Sequence, residues 1–416
     1  MSSTAFGVVV RERTLRSRAR GAAKPALAVI AVALVVGFAG CDLVAGALGL
    51  RELSENITVD RRLRRGTYTV TVNNFTVSAN LDIDPGTTIR FESGTGMRIS
   101  GFGSITAVGT ERRPIYFTSA SGNADDWQGV GIRTNESSVN TLAHVVIENA
   151  GEYHMYTGDG HRANLFVDEN ARVSITDSVF RRARFGVWFH GGATIEAFTR
   201  NTFDGNTEGA ARFVSRRLGS IGADNTFGTN APQAGRFVRV DAGTDQITTT
   251  QTWRKLDVPY RFFDSAADPR YVGIEDSTAT VTIDPGARLE FSGSRIGFVV
   301  NFGSLVAEGT EDDPITFTTH PGKSAGDWLG ITVNQQAQAT LRHVIVERAG
   351  SYNTHNNFMR SNLRVGPEAT VTVGNSVFRD SSHYGIRVAS GGTFNDEGGN
   401  STSGNPQGNT GITLLP

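Results

Sequence analysis

The sequence predicts an all-β protein, a right-handed parallel β-helix (a solenoid) made of two tandem homologous halves. Three observations carry that expectation. The chain repeats itself at an offset near 200 residues, its apolar residues fall in short β-prone runs bounded by Gly, Pro, Asn or Asp, and no helical period is found after residue 41. Composition agrees: 49 Gly and 12 Pro among 416 residues suit many short elements joined by turns, and 38% apolar residues with 24 Phe can fill a core.

The repeat is visible phrase by phrase. IDPGTTIRF at Ile83–Phe91 recurs as IDPGARLEF at Ile283–Phe291. FGSITAVGTERRPIYFT at Phe102–Thr118 recurs as FGSLVAEGTEDDPITFT at Phe302–Thr318. Asp126-Trp-Gln-Gly-Val recurs as Asp327-Trp-Leu-Gly-Ile, TLAHVVIENAG from Thr141 as TLRHVIVERAG from Thr340, and Ser178-Val-Phe-Arg as Ser376-Val-Phe-Arg. Asn201–Asn206 has a degenerate partner at Asn400–Asn405. The expected organisation is a leader (1–41), a tether (42–56), a first half (57–211), a connection (212–246) and a second half with a loose C-terminal end (247–416). Residues 51–80 read as a cap or irregular first rungs.

Several strand arrangements can close such runs. The solenoid is favoured because the Asn-Gly and Asp-Gly turns of hairpins are scarce and because Val173–Phe180 sets two short strands about a polar bend. The phrase order Ile-Asp-Pro-Gly, Gly-Ser-Leu-Val-Ala-Glu-Gly-Thr, Asp-Pro-Ile-Thr-Phe-Thr, Asp-Trp-Leu-Gly-Ile and His-Val-Ile-Val-Glu-Arg-Ala-Gly resembles the parallel β-helix repeat proteins of bacterial envelopes, within the pectate-lyase-like superfamily. The resemblance spans about residues 57–210 and 247–405. It implies coils stacked at about 4.8 Å, with inward columns of Ile, Val, Leu and Phe capped only at the ends.

The N-terminus carries its own message. Arg11, Arg13, Arg16, Arg18, Arg20 and Lys24 precede the apolar stretch Pro25–Gly40, and Cys41, the sole cysteine, follows directly. This is the layout of a secretory signal rather than of a membrane span. Phe38-Ala39-Gly40-Cys41 resembles the lipobox of bacterial lipoproteins, with Phe38 where Leu is usual. The resemblance implies lipidation of Cys41, anchorage to a membrane by acyl chains and an extracytoplasmic place in the cell envelope, on the inner or outer membrane or the cell surface. One cysteine excludes an intrachain disulfide and a multi-cysteine metal site. A net charge of −1, or −6 after removal of the leader, offers no field for nucleic acid.

Candidate chemistry is sparse. Asp84 and Asp284 offer carboxylates to calcium, yet Asp-Pro-Gly is turn chemistry. Trp127 and Trp328 read as covers of core columns rather than as sugar platforms. His144 and Glu148, like His343 and Glu347, are expected on one side of one strand, about 13 Å apart and beyond acid–base reach. The superfamily's lyases pair acidic calcium clusters with an Arg or Lys base, which Asp125, Asp126, Arg181, Arg182 and Arg184 supply in type but not in any compelling spacing. Zinc-protease, P-loop, dinucleotide, nucleophile-elbow and calcium-nonapeptide signatures are absent, so no cofactor and no catalytic residue is assigned.

The halves differ most after Ala-Gly: Glu152–Arg162 in the first, Ser351–Arg360 in the second. These polar segments are expected to project from the solenoid as loops and to carry Tyr153, His154, Tyr156, Asp159, His161 and Arg162, with Tyr352, His355 and Arg360, as ligand-binding candidates. The sequence therefore favours a lipid-anchored envelope protein with a structural or carbohydrate-binding role. A polysaccharide lyase or glycosidase, supported only by fold analogy, and an adhesin are the alternatives.

Overall fold

The structure, a computed structural model, describes residues 50–151, 162–229, 235–243, 246–264, 271–351, 360–407 and 412–414. They form an all-β parallel β-helix. One turn shows the path. Strand Ile115–Ser119 leads to Val130–Thr134, then to Val139–Ala143, each in a different sheet; Val145–Glu148 then returns and pairs in parallel with Ile115–Ser119.

Five sheets result. Sheet 1 has eight strands from Leu50–Leu53 to Thr226–Thr229, and sheet 2 has thirteen from Phe75–Val77 to Ser401–Ser403. Sheet 3 (Arg61–Leu63 to Thr194–Thr199), sheet 4 (Val272–Ile274 to Ile412–Leu414) and sheet 5 (Gln251–Trp253 to Thr393–Asp396) have six strands each. The 42–56 and 212–246 segments and the C-terminal end contribute strands as well, because any parallel edge offers the same backbone donors and acceptors to the next coil.

Alternation along each strand sends every second residue inward, and the register stacks these into columns. In sheet 2 one column runs Val130, Leu165, Val187, Ala211, Val238, Tyr260, Leu289 and Phe317, all at 0% exposure. Each large apolar side chain so buried contributes about 1.5–3 kcal/mol, so packing between rungs dominates the stability. Trp127 and Trp328 are fully buried. They stack on Phe91 and Phe291 at 4.0 and 4.5 Å, and their indole N–H groups donate to the carbonyls of Glu148 and Glu347. The Gly two residues after each Trp is required. Gly129 and Gly330 take φ of +102° and +103°, and a Cβ there would collide with the carbonyls of Ala163 and Ser361 on the next rung.

Corners between strands use two devices. The first is a single residue in the left-handed region. His144 (φ 48°) and His343 (φ 47°) are such corners, lying between strands and not within them. This corrects the expectation that His144 and Glu148, or His343 and Glu347, alternate along one strand; the intervening bend breaks the alternation. The second is a buried Asn. Asn206 accepts from the Ala183 N–H and donates to the Phe180 carbonyl, and Asn405 does the same with Ser381 and Phe378. Asp-Pro-Gly turns are closed by Thr87 N–H and Ala287 N–H donating to the Asp84 and Asp284 carbonyls, with Gly86 and Gly286 at φ 82° and 76°.

The matched phrases do not occupy one continuous set of sheets. Ser104–Val108, Ile115–Ser119 and Val130–Thr134 lie in sheets 3, 1 and 2; their counterparts Ser304–Glu308, Ile315–Thr319 and Ile331–Val333 lie in sheets 5, 2 and 4. The shift of face falls where Val238–Ala242 pairs with Gly209–Val214 on one side and Tyr260–Asp264 on the other.

Candidate functional site

Of the residues predicted as a site, Cys41, Tyr153, His154, Tyr156, Asp159, His161, Tyr352 and His355 lie outside the described residues. Arg162 and Arg360 are described, each directly before a strand, Ala163–Val167 and Ser361–Val365. The Arg162 carbonyl accepts from Phe185 N–H and the Arg360 carbonyl from Tyr384 N–H, fixing both to the next rung. The Arg360 side chain reaches the Gly350 carbonyl and Ser382 Oγ, both at 3.4 Å.

Of the acid–arginine combination weighed for lyase chemistry, Asp126 and the three arginines are engaged by other groups. Asp126 accepts from Ser119 Oγ and Ser121 Oγ, both at 2.7 Å, and the Ser121 and Ser119 bonds hold its carboxyl below the ordinary range. Arg181 and Arg182 turn to Glu148 at 2.7 and 3.3 Å, and Arg184 pairs with Glu208. Glu148 also accepts from Thr118, as Glu347 does from Thr318 and Arg379, so these acids serve as braces between rungs. No group of three or more His, Cys, Asp and Glu converges on a metal position among the described residues.

A different constellation is assembled on the outer face of sheet 2. The register places Trp188, Arg212, Arg239, Arg261 and Glu290 in one outward column, one residue per rung. The Arg212 guanidinium lies 3.5 Å from the centre of the Trp188 ring, Arg239 lies 4.4 Å from Phe263, and Arg261 lies 4.2 Å from Phe237. Asp241 receives Arg212 at 2.5 Å and Arg239 at 3.0 Å, and Glu290 receives Arg261 at 3.0 Å and Arg288 at 2.9 Å. Four arginines thus share two carboxylates. Burial brings the Arg212 guanidinium down to about 10, with Asp241 opposing and Arg239 adding to the effect, so it remains a cation at neutral pH. Burial and then Arg261 likewise lower His320, which faces Phe263 edge-on at 6.3 Å.

Chemically this is a rigid, positively biased strip. The guanidiniums are pre-oriented by aromatic faces; Arg212 and Arg239 retain side-chain exposures of 20% and 27%, whereas Arg261, held by Glu290 through two nitrogens, retains 11%. It can hold planar anions through paired N–H donors. Sequence reasoning missed it because its members are scattered from residue 188 to 320. The available signal was an Arg flanked by apolar residues in successive strands: Ala-Arg-Phe at 211–213, Val-Arg-Val at 238–240 and Tyr-Arg-Phe at 260–262. Comparisons with protein-family models, with curated proteins and with solved structures find no match for this chain.

Proposed function

We propose that this protein is a lipid-anchored, extracytoplasmic binding protein whose β-helix presents sheet 2 to an acidic polysaccharide or cell-surface glycan. The supporting observation is the column of Arg212, Arg239 and Arg261 backed by Trp188, Phe237 and Phe263. Cations repeat there at about the rung spacing of 4.8 Å, and a polyanion lying along the axis meets the exposed edges of Arg212 and Arg239 on adjacent rungs, with Arg261 adding its charge from beneath. The excess of arginine over carboxylate favours a negative ligand, and the aromatic rings favour a ligand with flat apolar faces. Cys41, if acylated, tethers the solenoid at one end and leaves its faces open to the medium.

The test is binding of a uronate polymer to residues 42–416, measured by calorimetry at two salt concentrations. Arg239→Gln is expected to weaken binding at least tenfold, and added salt to weaken it further. Equal binding by Arg239→Gln and the parent chain overturns the reading, and release of unsaturated sugars would assign catalysis instead. Labelling with a palmitate analogue is expected to fail for Cys41→Ser.

A further inference from the structure

We propose that the outward face of sheet 5 binds ice, acting as a template for lattice-ordered water; this inference is independent of the glycan reading and concerns another sheet. Six strands stack here with no register shift: Gln251–Trp253, Thr280–Ile283, Ser304–Glu308, Gln338–Arg342, Thr370–Gly374 and Thr393–Asp396. Val281, Leu305, Ala339 and Val371 turn inward and are buried. The outward positions on either side form two columns. One runs Thr280, Ser304, Gln338, Thr370 and Thr393, and the other Thr252, Thr282, Val306, Thr340, Thr372 and Asn395. Thr250 extends the first, its Oγ1 accepting from Thr280 N–H.

Four properties point to ordered water. The columns carry no charge, and Arg342 at their margin is neutralised by Glu397 and Glu308. The hydroxyls of Thr252, Thr282, Ser304, Thr340, Thr370 and Thr393 make no hydrogen bond to other described residues, while Thr372 only accepts one, from Asn395. Threonine is stiff about χ1, so methyl and hydroxyl positions are set by the backbone. Their repeat is about 4.8 Å between rungs and about 6.7 Å along each strand, close to the oxygen repeats on a prism face of hexagonal ice. A crystalline polysaccharide would call for stacking rings, and no aromatic side chain stands in either column. The counterpart face on sheet 3 lacks these properties. Asp60, Arg62 and Asp82 are charged, Ser104 Oγ is engaged by Asn80, and the register shifts at Val173/Ser174.

The test uses residues 42–416, which contain every described strand. Purified protein is offered to a slowly growing ice hemisphere, and its partition between ice and liquid is measured together with ice recrystallisation. The parent chain is expected to enter the ice and suppress recrystallisation. Thr340→Lys/Thr372→Lys is expected to lose at least tenfold in both, and Thr141→Lys on sheet 3 to lose nothing; circular dichroism and urea unfolding check that each variant is folded. Exclusion of the parent chain from ice, or equal incorporation of the folded double variant, overturns the proposal. So does retention on cellulose or chitin powder that depends on Thr340 and Thr372 without any effect on ice.

Discussion

Asn206 and Asn405 each satisfy one backbone donor and one backbone acceptor at a corner from which water is excluded. Their removal leaves both groups unpaired, and each buried orphan costs about 1–3 kcal/mol. Asn206→Ala is therefore expected to lower unfolding stability by about 2–6 kcal/mol in urea titration, on the same ground. His144 makes a different contribution. Its left-handed φ carries a penalty of roughly 1–2 kcal/mol for residues other than glycine, and a branched Cβ raises it. His144→Gly is expected to be close to neutral, because strain relief offsets the entropy glycine loses on folding. His144→Val is expected to be the less stable of the two, and an inverted order would show that the imidazole itself holds the corner. The sequence signalled the glycine turns plainly but not the histidine corners: histidine is enriched at positive φ, yet here it stands inside an apolar run that reads as unbroken strand.

At the scale of the element, acids on one strand are braced by arginines and threonines on its neighbours. Burial alone would raise the Glu347 carboxyl, but bonds from Arg379 and Thr318 outweigh it and leave the group below its ordinary value. The Arg200 bond lowers Asp177 in the same way. A carboxyl held low in the folded state is protonated first in the unfolded chain. Its contribution is therefore complete above the ordinary value of 4.5 for Glu347 and disappears as the pH falls through the folded value. Stability measured by urea titration is expected to fall in two stages: from about pH 6.5 downward, where His320 is protonated first in the unfolded chain, and more steeply below about pH 5, where the carboxyls follow. Glu347→Gln should lower the plateau and shrink the difference from the parent chain by pH 3; a constant difference at every pH would refute the ion-pair account. The strands themselves were legible as apolar runs between turn residues, and so were the Asp-Pro-Gly turns. The arginine column was not, because register alone brings residues 188, 212, 239 and 261 together.

For the molecule as a whole, each rung is covered only by its neighbours, as in other one-dimensional stacks. At the change of face, Ala211 and Phe213 are covered by Val238 and Val240, and Phe227 packs on Phe203 at 5.0 Å. A fragment ending at residue 229 would expose the end of the core together with unpaired strand edges. Light scattering is expected to show it aggregated at concentrations where residues 42–416 remain dispersed; a monomeric fragment would mean that the first set of coils is capped from within.

The sequence by itself determined the all-β class, the stacked coils and the Asp-Pro-Gly turns, because these follow from side-chain period and local turn chemistry, which every short stretch carries. Only the tertiary structure decided which face continues into which. Strands equivalent in sequence lie in sheets 1 and 2 on either side of Val238–Ala242, so matched phrases look out in different directions. The physical reason is that a parallel ladder is made by backbone groups common to all residues. An edge strand therefore accepts any extended segment whose inward column fits, and the choice among faces is settled by packing across the whole coil.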